Sequence, residues 1–140
     1  KYVKDIGIGE CAGVVIDLIA TLFLESEEKI ENAKVSFDNK VYSSAIYHAY
    51  SSLVNSAKAL LLAENKKTNT HAGIISQFDE FFVESGRIDL GVSFSELIYQ
   101  INKFAPTGDF ASKYIENANE FLVKVRAFRA AQTELAKKAV

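Results

Sequence analysis

The 140-residue chain predicts an all-α protein, an antiparallel bundle of about five helices. Apolar residues recur in steps of three and four along most of the chain, and no alternating strand pattern persists anywhere. One proline and seven glycines leave little material for loops. The clusters that break helices, "DNK", "NKKTNT" and "APTGD", fall between the periodic stretches and separate long segments by short links.

The first helix is expected from about Gly9 to Phe37, with Val15, Leu18, Leu22, Ile30, Ala33 and Phe37 as its apolar row. The polar "ESEEK" around position 27 fills solvent-facing turns, and "DNK" at 38–40 makes the turn that follows. A second helix runs from about Val41 to Asn65. Within it Ala45, Ala49, Ser52, Ser56 and Ala59 are spaced four, three, four and three, one continuous face of small residues that lets a neighbouring helix come close. Ile46, Leu53, Ala57, Leu60 and Leu61 beside it are core candidates.

Asn69 or Thr70 caps a third helix over Ala72 to Ser85, and Gly86 stops it. In "VSFSEL", residues 92–97, Ser93 and Glu96 have the spacing of a capping box, while Val92 and Leu97 have that of a hydrophobic staple. A fourth helix therefore covers Phe94 to about Phe104. The last opens at Asp109 and can reach the C-terminus on the stripe Phe110, Tyr114, Ala118, Phe121, Val125 and Phe128. Lys124, Arg126, Arg129, Lys137 and Lys138 gather toward its end, where the helix dipole favours cations.

Composition narrows the function. With 49% apolar and 24% charged residues the chain suits one globular domain. A net charge of −2 lacks the excess positive charge expected of a nucleic-acid-binding face, DNA above all, and leaves only a local basic patch for such contact. The lone Cys11 permits no internal disulfide, fits a reducing, cytoplasmic setting, and offers no metal cluster of its own. The run "CAGVVIDLIATLFL", Cys11 to Leu24, is fourteen residues with Asp17 inside it, shorter than a bilayer span, and reads as a buried helix. The chain begins at Lys1 and contains no methionine, and is expected to be a fragment or a processed product.

Both histidines lie between residues 45 and 74. His48 sits between Tyr47 and Tyr50; without a carboxylate to orient it, it reads as a partly buried imidazole bonded to a hydroxyl or a carbonyl. His71 begins the third helix, where its ring can pack on or bond to the second. The functional alternative is nucleotide or RNA contact: a helix N-terminus attracts anions, Lys66 and Lys67 precede it, and Gly73 allows close approach. The ligand-contact candidates are therefore Lys66, Lys67, His71, Tyr47, His48 and Tyr50. No catalytic set, metal site or cofactor is predicted.

The stretch "VYSSAIYHAYSSLVNSAKALLLAENKKTNTHAGIISQFDEFFVESGRID" resembles HEPN domains, small helical domains of prokaryotic nucleotidyltransferase-linked modules and of some large eukaryotic proteins. The likeness lies in the small-residue helix Ala45 to Leu62 ending in "KALLL", the turn into Thr70 and His71, and "GRID" at 86–89, and it covers roughly Leu24 to Arg129. Many HEPN proteins are similar to metal-independent RNases built on an arginine and a later histidine with four to six residues between them. Here Arg87, Arg126 and Arg129 have no histidine after them. The positions before His48 are Val41, Tyr42 and Ser43, and those before His71 are Glu64, Asn65 and Lys66. Lys66 has the spacing but not the planar fork that clamps a phosphate.

The segment before the HEPN-like core looks like the joining piece in bacterial chains where such a domain follows a sulfite or nitrite reductase module. One cysteine cannot hold that module's cluster. The expectation is a single HEPN-like domain over 1–140 with 1–23 as an N-terminal extension that starts the first helix. It is expected to be a non-catalytic accessory or interaction module, forming a homodimer or contacting a parent enzyme module.

Overall fold

The computed structural model describes the backbone of residues 2–139 and the side chains of residues 13–138. Five α-helices follow one another: α1 Tyr2–Asp38, α2 Tyr42–Ala63, α3 His71–Phe78, α4 Phe94–Ile98 and α5 Gly108–Ala139. There is no strand among the described residues. Three long helices form the frame. α1 and α2 make an antiparallel hairpin, α5 runs antiparallel to α1, and α3 and α4 close the side that α2 and α5 leave open.

The hairpin is set by small side chains. Ala45, Ala49, Ser52, Ser56 and Ala59 are all wholly buried, as their spacing predicts. On α1 the buried row is Ile19, Phe23, Ser26, Ile30 and Ala33; Ile30 and Ala33 are covered as expected, while in the first part of the row Ile19 and Phe23 take the places expected of Leu18 and Leu22. Leu18 is 47% exposed, and Val15, Leu22 and Phe37 are only partly covered. The first part differs because Ser26, in the charge-rich "ESEEK", is buried against Ser52 across the seam. Its carbonyl accepts a hydrogen bond from Ser52 Oγ at 2.9 Å, and its own hydroxyl donates to Leu22 O at 2.8 Å. Ser56 Oγ donates to Ser52 O at 2.7 Å. Each hydroxyl is satisfied without a bulky side chain that would push the helices apart.

The turns differ in detail from expectation. Lys40, at φ 62°, makes the left-handed bend after α1, and Val41 starts α2 without any side-chain cap, so Asp38 and Asn39 are not its caps. Asn65, also at φ 62°, stops α2 two residues early. Thr70 rather than Asn69 caps α3, its side chain accepting from Gly73 N at 3.0 Å. α3 is shorter than its apolar pattern implies: it widens into a π-helical turn at Asp79–Val83 and is closed by Gly86 at φ +80°.

That wider turn delivers Asp79 to the start of α4. The Asp79 carboxylate, buried at 7% exposure, accepts from Phe94 N at 2.6 Å, Ser95 N at 2.9 Å and Ser95 Oγ at 2.6 Å. Ser93 Oγ accepts from Glu96 N at 3.0 Å, one arm of the expected capping box. Val92 stays 40% exposed while Leu97 is buried, because Asp79 fixes the approach to α4 that the staple was expected to fix. Beyond Ile98 the helix tightens to a 3₁₀ turn over Tyr99–Asn102, shorter than the expected α-helix to Phe104.

The far side of the core is aromatic. Phe78, Phe94 and Phe121 meet at centroid distances of 4.7–5.2 Å, and fully buried Tyr114 donates its hydroxyl to Ile98 O at 2.9 Å. The expected α5 stripe lies against this layer.

Two expectations follow for stability. Ala49→Leu overfills a seam with no spare volume and should destabilise by about 1–3 kcal/mol, read by urea unfolding; an unchanged midpoint contradicts the seam. Asp79→Ala strips two N–H groups and a hydroxyl of their acceptor and should cost about 2–3 kcal/mol, against about 1 kcal/mol for Ser93→Ala. A Ser93→Ala cost equal to or above that of Asp79→Ala would show that the local cap dominates.

Candidate functional site

The six candidate residues fall into three groups. Tyr50, in the middle of α2, and His71, the first residue of α3, share a hydrogen bond between Tyr50 Oη and His71 Nδ1 at 2.9 Å, with ring centroids 5.6 Å apart. This bond ties the start of α3 to α2. Burial pushes the Tyr50 phenol up from its ordinary pKa, helped by Tyr99 and Tyr47. Gly73 serves the same junction: a Cβ there would lie 2.3 Å from Thr68 Oγ1 and 2.8 Å from Thr70 Oγ1. The close approach that Gly73 permits is taken by the protein's own loop.

Tyr47 and His48 form the second group, edge to face at 6.0 Å. Tyr47 is 63% exposed. His48 is half-buried, and its Nδ1 is fully buried with no hydrogen-bond partner, contrary to the expected bond to a hydroxyl or carbonyl. No side chain with a suitable acceptor or donor reaches that nitrogen across the α1–α2 packing. Burial, and secondarily the Lys29 ammonium, hold its pKa below the ordinary 6.5.

Lys66 and Lys67 form the third. They line a cleft of about 250 Å³ with Lys58, Leu18, Leu22 and Leu62, between the middle of α1 and the end of α2. None of the other four candidates lines it. Lys66, the cation at the arginine's spacing from His71, holds its ammonium 4.3 Å from the centre of the Phe81 ring, a cation–π contact.

The arginines are occupied elsewhere. Arg87 grips Glu64 with both nitrogens, at 2.8 and 2.5 Å, and lies over the rings of Phe82 and Phe128 at 4.8 and 5.2 Å. Gln132 Nε2 from α5 donates to the same carboxylate at 2.9 Å. The hydrogen bond from Arg87 holds the Glu64 carboxyl below its usual range, against the opposing effect of partial burial. Arg126 pairs with Glu27, and Arg129 donates to Gln132 at 3.4 Å. Glu64 and Arg87 thus join the end of α2, the segment after α3 and α5. Sequence reading missed this cluster; "GRID" marked Arg87 but nothing local pointed to Glu64, 23 residues earlier.

Among the described residues no three His, Cys, Asp or Glu side chains converge as a metal site, and the Cys11 side chain lies outside them. No helix in the described part is long and apolar enough to cross a membrane.

A hairpin of small-residue-packed long helices, closed by two short helices and a long C-terminal one, defines an all-helical bundle domain with no arginine bonded to a histidine among its described residues. The HEPN domain profile matches residues 19–135, and the chain belongs to that family. It is 42% identical over 71 residues to a Methanocaldococcus jannaschii protein named "Putative toxin", covering 51% of this chain and 53% of that protein, so the chain spans about half the length of this relative. It is 27% identical over 105 residues to a Thermotoga maritima protein named "UPF0332 protein", covering 74% and 79%. A Pyrococcus horikoshii protein with the same UPF0332 designation is 36% identical over 64 residues, covering 46% and 45%.

His48 offers a direct test of the geometry at α2. Its lowered pKa means that the folded state prefers the neutral ring; the stability this carries is present above the unfolded value of 6.5 and lost as pH falls through the folded value. An NMR titration should give His48 a midpoint below 6.5, rising toward it in Lys29→Gln; a midpoint above 6.5 contradicts the assigned surroundings.

Proposed function

We propose that this HEPN domain is a non-catalytic interaction module that self-associates through the N-terminal half of α1. The observation that carries the reading is exposure: Val14, Ile16, Leu18 and Leu24 are each about half or more open to solvent at 57%, 57%, 47% and 61%. α1 can bury only one stripe against α2 and α5, and these apolar side chains, spread around the rest of the helix, are left for a partner to cover. A second copy is the proposed cover, with a module of a parent chain as the other possible occupant.

The pairing of Arg87 with Glu64 and of Arg126 with Glu27 supports the non-catalytic part, since a phosphate-clamping arginine needs a free fork beside its histidine. A relative carries "toxin" in its name, and RNA cleavage is the activity such a role would bring to a HEPN chain. Purified protein is expected not to cleave RNA; cleavage lost in His71→Ala or His48→Ala would overturn the proposal. Nucleotide or RNA binding through all six candidates draws less support, because Lys66 and Lys67 line a cleft that the other four do not, and Lys66 is turned to Phe81.

Self-association is checked by light scattering across a concentration series. A dimer that dissociates in Ile16→Glu with its helicity intact is the expected result. A strict monomer at the highest concentration rejects it.

A further inference from the structure

We infer that the cleft between the middle of α1 and the end of α2 is a binding site for a short amphipathic carboxylate, an acyl chain with a single anionic head. The floor is Leu18, Leu22 and Leu62, each partly open to solvent. Lys58 and Lys67 stand at its rim, and neither has a carboxylate within ion-pair distance among the described residues. Lys66 is directed to Phe81, which leaves these two as the cleft's cations. An apolar floor under two unpaired ammoniums selects a ligand with both an apolar body and a negative charge.

Two features separate this ligand from a nucleotide. No aromatic ring lines the cleft, so a base finds nothing to stack on. The two free cations are lysines, enough charge for one anionic head and short of the several charges of a nucleotide's phosphates. The volume of about 250 Å³ lies just below the usual range for drug-sized ligands, which limits the body to a short chain.

Neither self-association nor the absence of catalysis is needed for this site. The test uses sodium octanoate with the full chain, followed by calorimetry and by amide chemical shifts. Saturable binding with shifts centred on Thr68 and Asn69 is expected, weakening about fourfold for each methylene removed. Acetate, which lacks the body, and octanol, which lacks the charge, should each bind at least tenfold more weakly. Lys58→Glu with Lys67→Glu should weaken octanoate at least tenfold; Lys58→Gln with Lys67→Gln serves if circular dichroism shows the first pair unfolded. Leu18 belongs to both this cleft and the proposed α1 interface, so the Ile16→Glu chain should bind octanoate at least as tightly as the parent, which keeps a failure of self-association distinguishable from a failure of this site. Octanol binding as well as octanoate, shifts confined to Val14 and Ile16, tighter binding of ATP at the same residues, or no saturable binding would each overturn the assignment.

Discussion

Everything in this bundle is built on the distance between α1 and α2. A helix pair packed through leucines stands about 8–10 Å apart, and smaller residues bring the backbones closer. Here alanine and serine line the seam, and Ser52 on one helix reaches the backbone carbonyl of Ser26 on the other. A side-chain hydroxyl can do that only when the helices nearly touch. The position of α2 against α1 then decides where α5 lies and where Tyr50 meets His71 at the start of α3.

The same constraint shapes the surface. Because α1 spends one stripe on the seam and another on α5, Val14, Ile16 and Leu18 on its N-terminal half remain outside. At the other edge of the seam Lys58 and Leu62 meet Leu18 and Leu22 and open the cleft. The arginines are drawn into structural duty: Arg87 clamps Glu64 while covering Phe82 and Phe128, which closes one end of the bundle. A HEPN frame can thus keep its packing while its cations hold helices together.

Local periodicity made α2 and α5 legible. The spacing from Ala45 to Ala59 and from Phe110 to Phe128 is carried by each helix alone, and both rows are covered as expected. What escaped depends on distant partners. Ser26 looked solvent-facing because its neighbours are glutamates, and it is buried because Ser52 lies opposite. Asp79 looked like part of a continuing helix, and it is a cap for α4 across 15 residues of chain. The π-helical turn that carries it there has no signature in "FDEFFV". At the candidate site, His71 bonds to α2 as its place at the start of α3 implies, whereas the separation of Lys66 and Lys67 from Tyr47, His48 and Tyr50 needed the fold. Residues close in sequence share a helix and still face different neighbours.

The α1–α2 seam, on which the other helices are placed, is expected to be the most stable part of the molecule, and native-state amide hydrogen exchange tests this most directly. Amides from Ser26 to Ala33 and from Ala45 to Ala59 should exchange only through global unfolding, with protection that tracks the global stability. Those of α3, the π-helical turn and α4 should open at lower free energy. Seam amides that exchange by local opening while α3 and α4 stay protected would contradict the account.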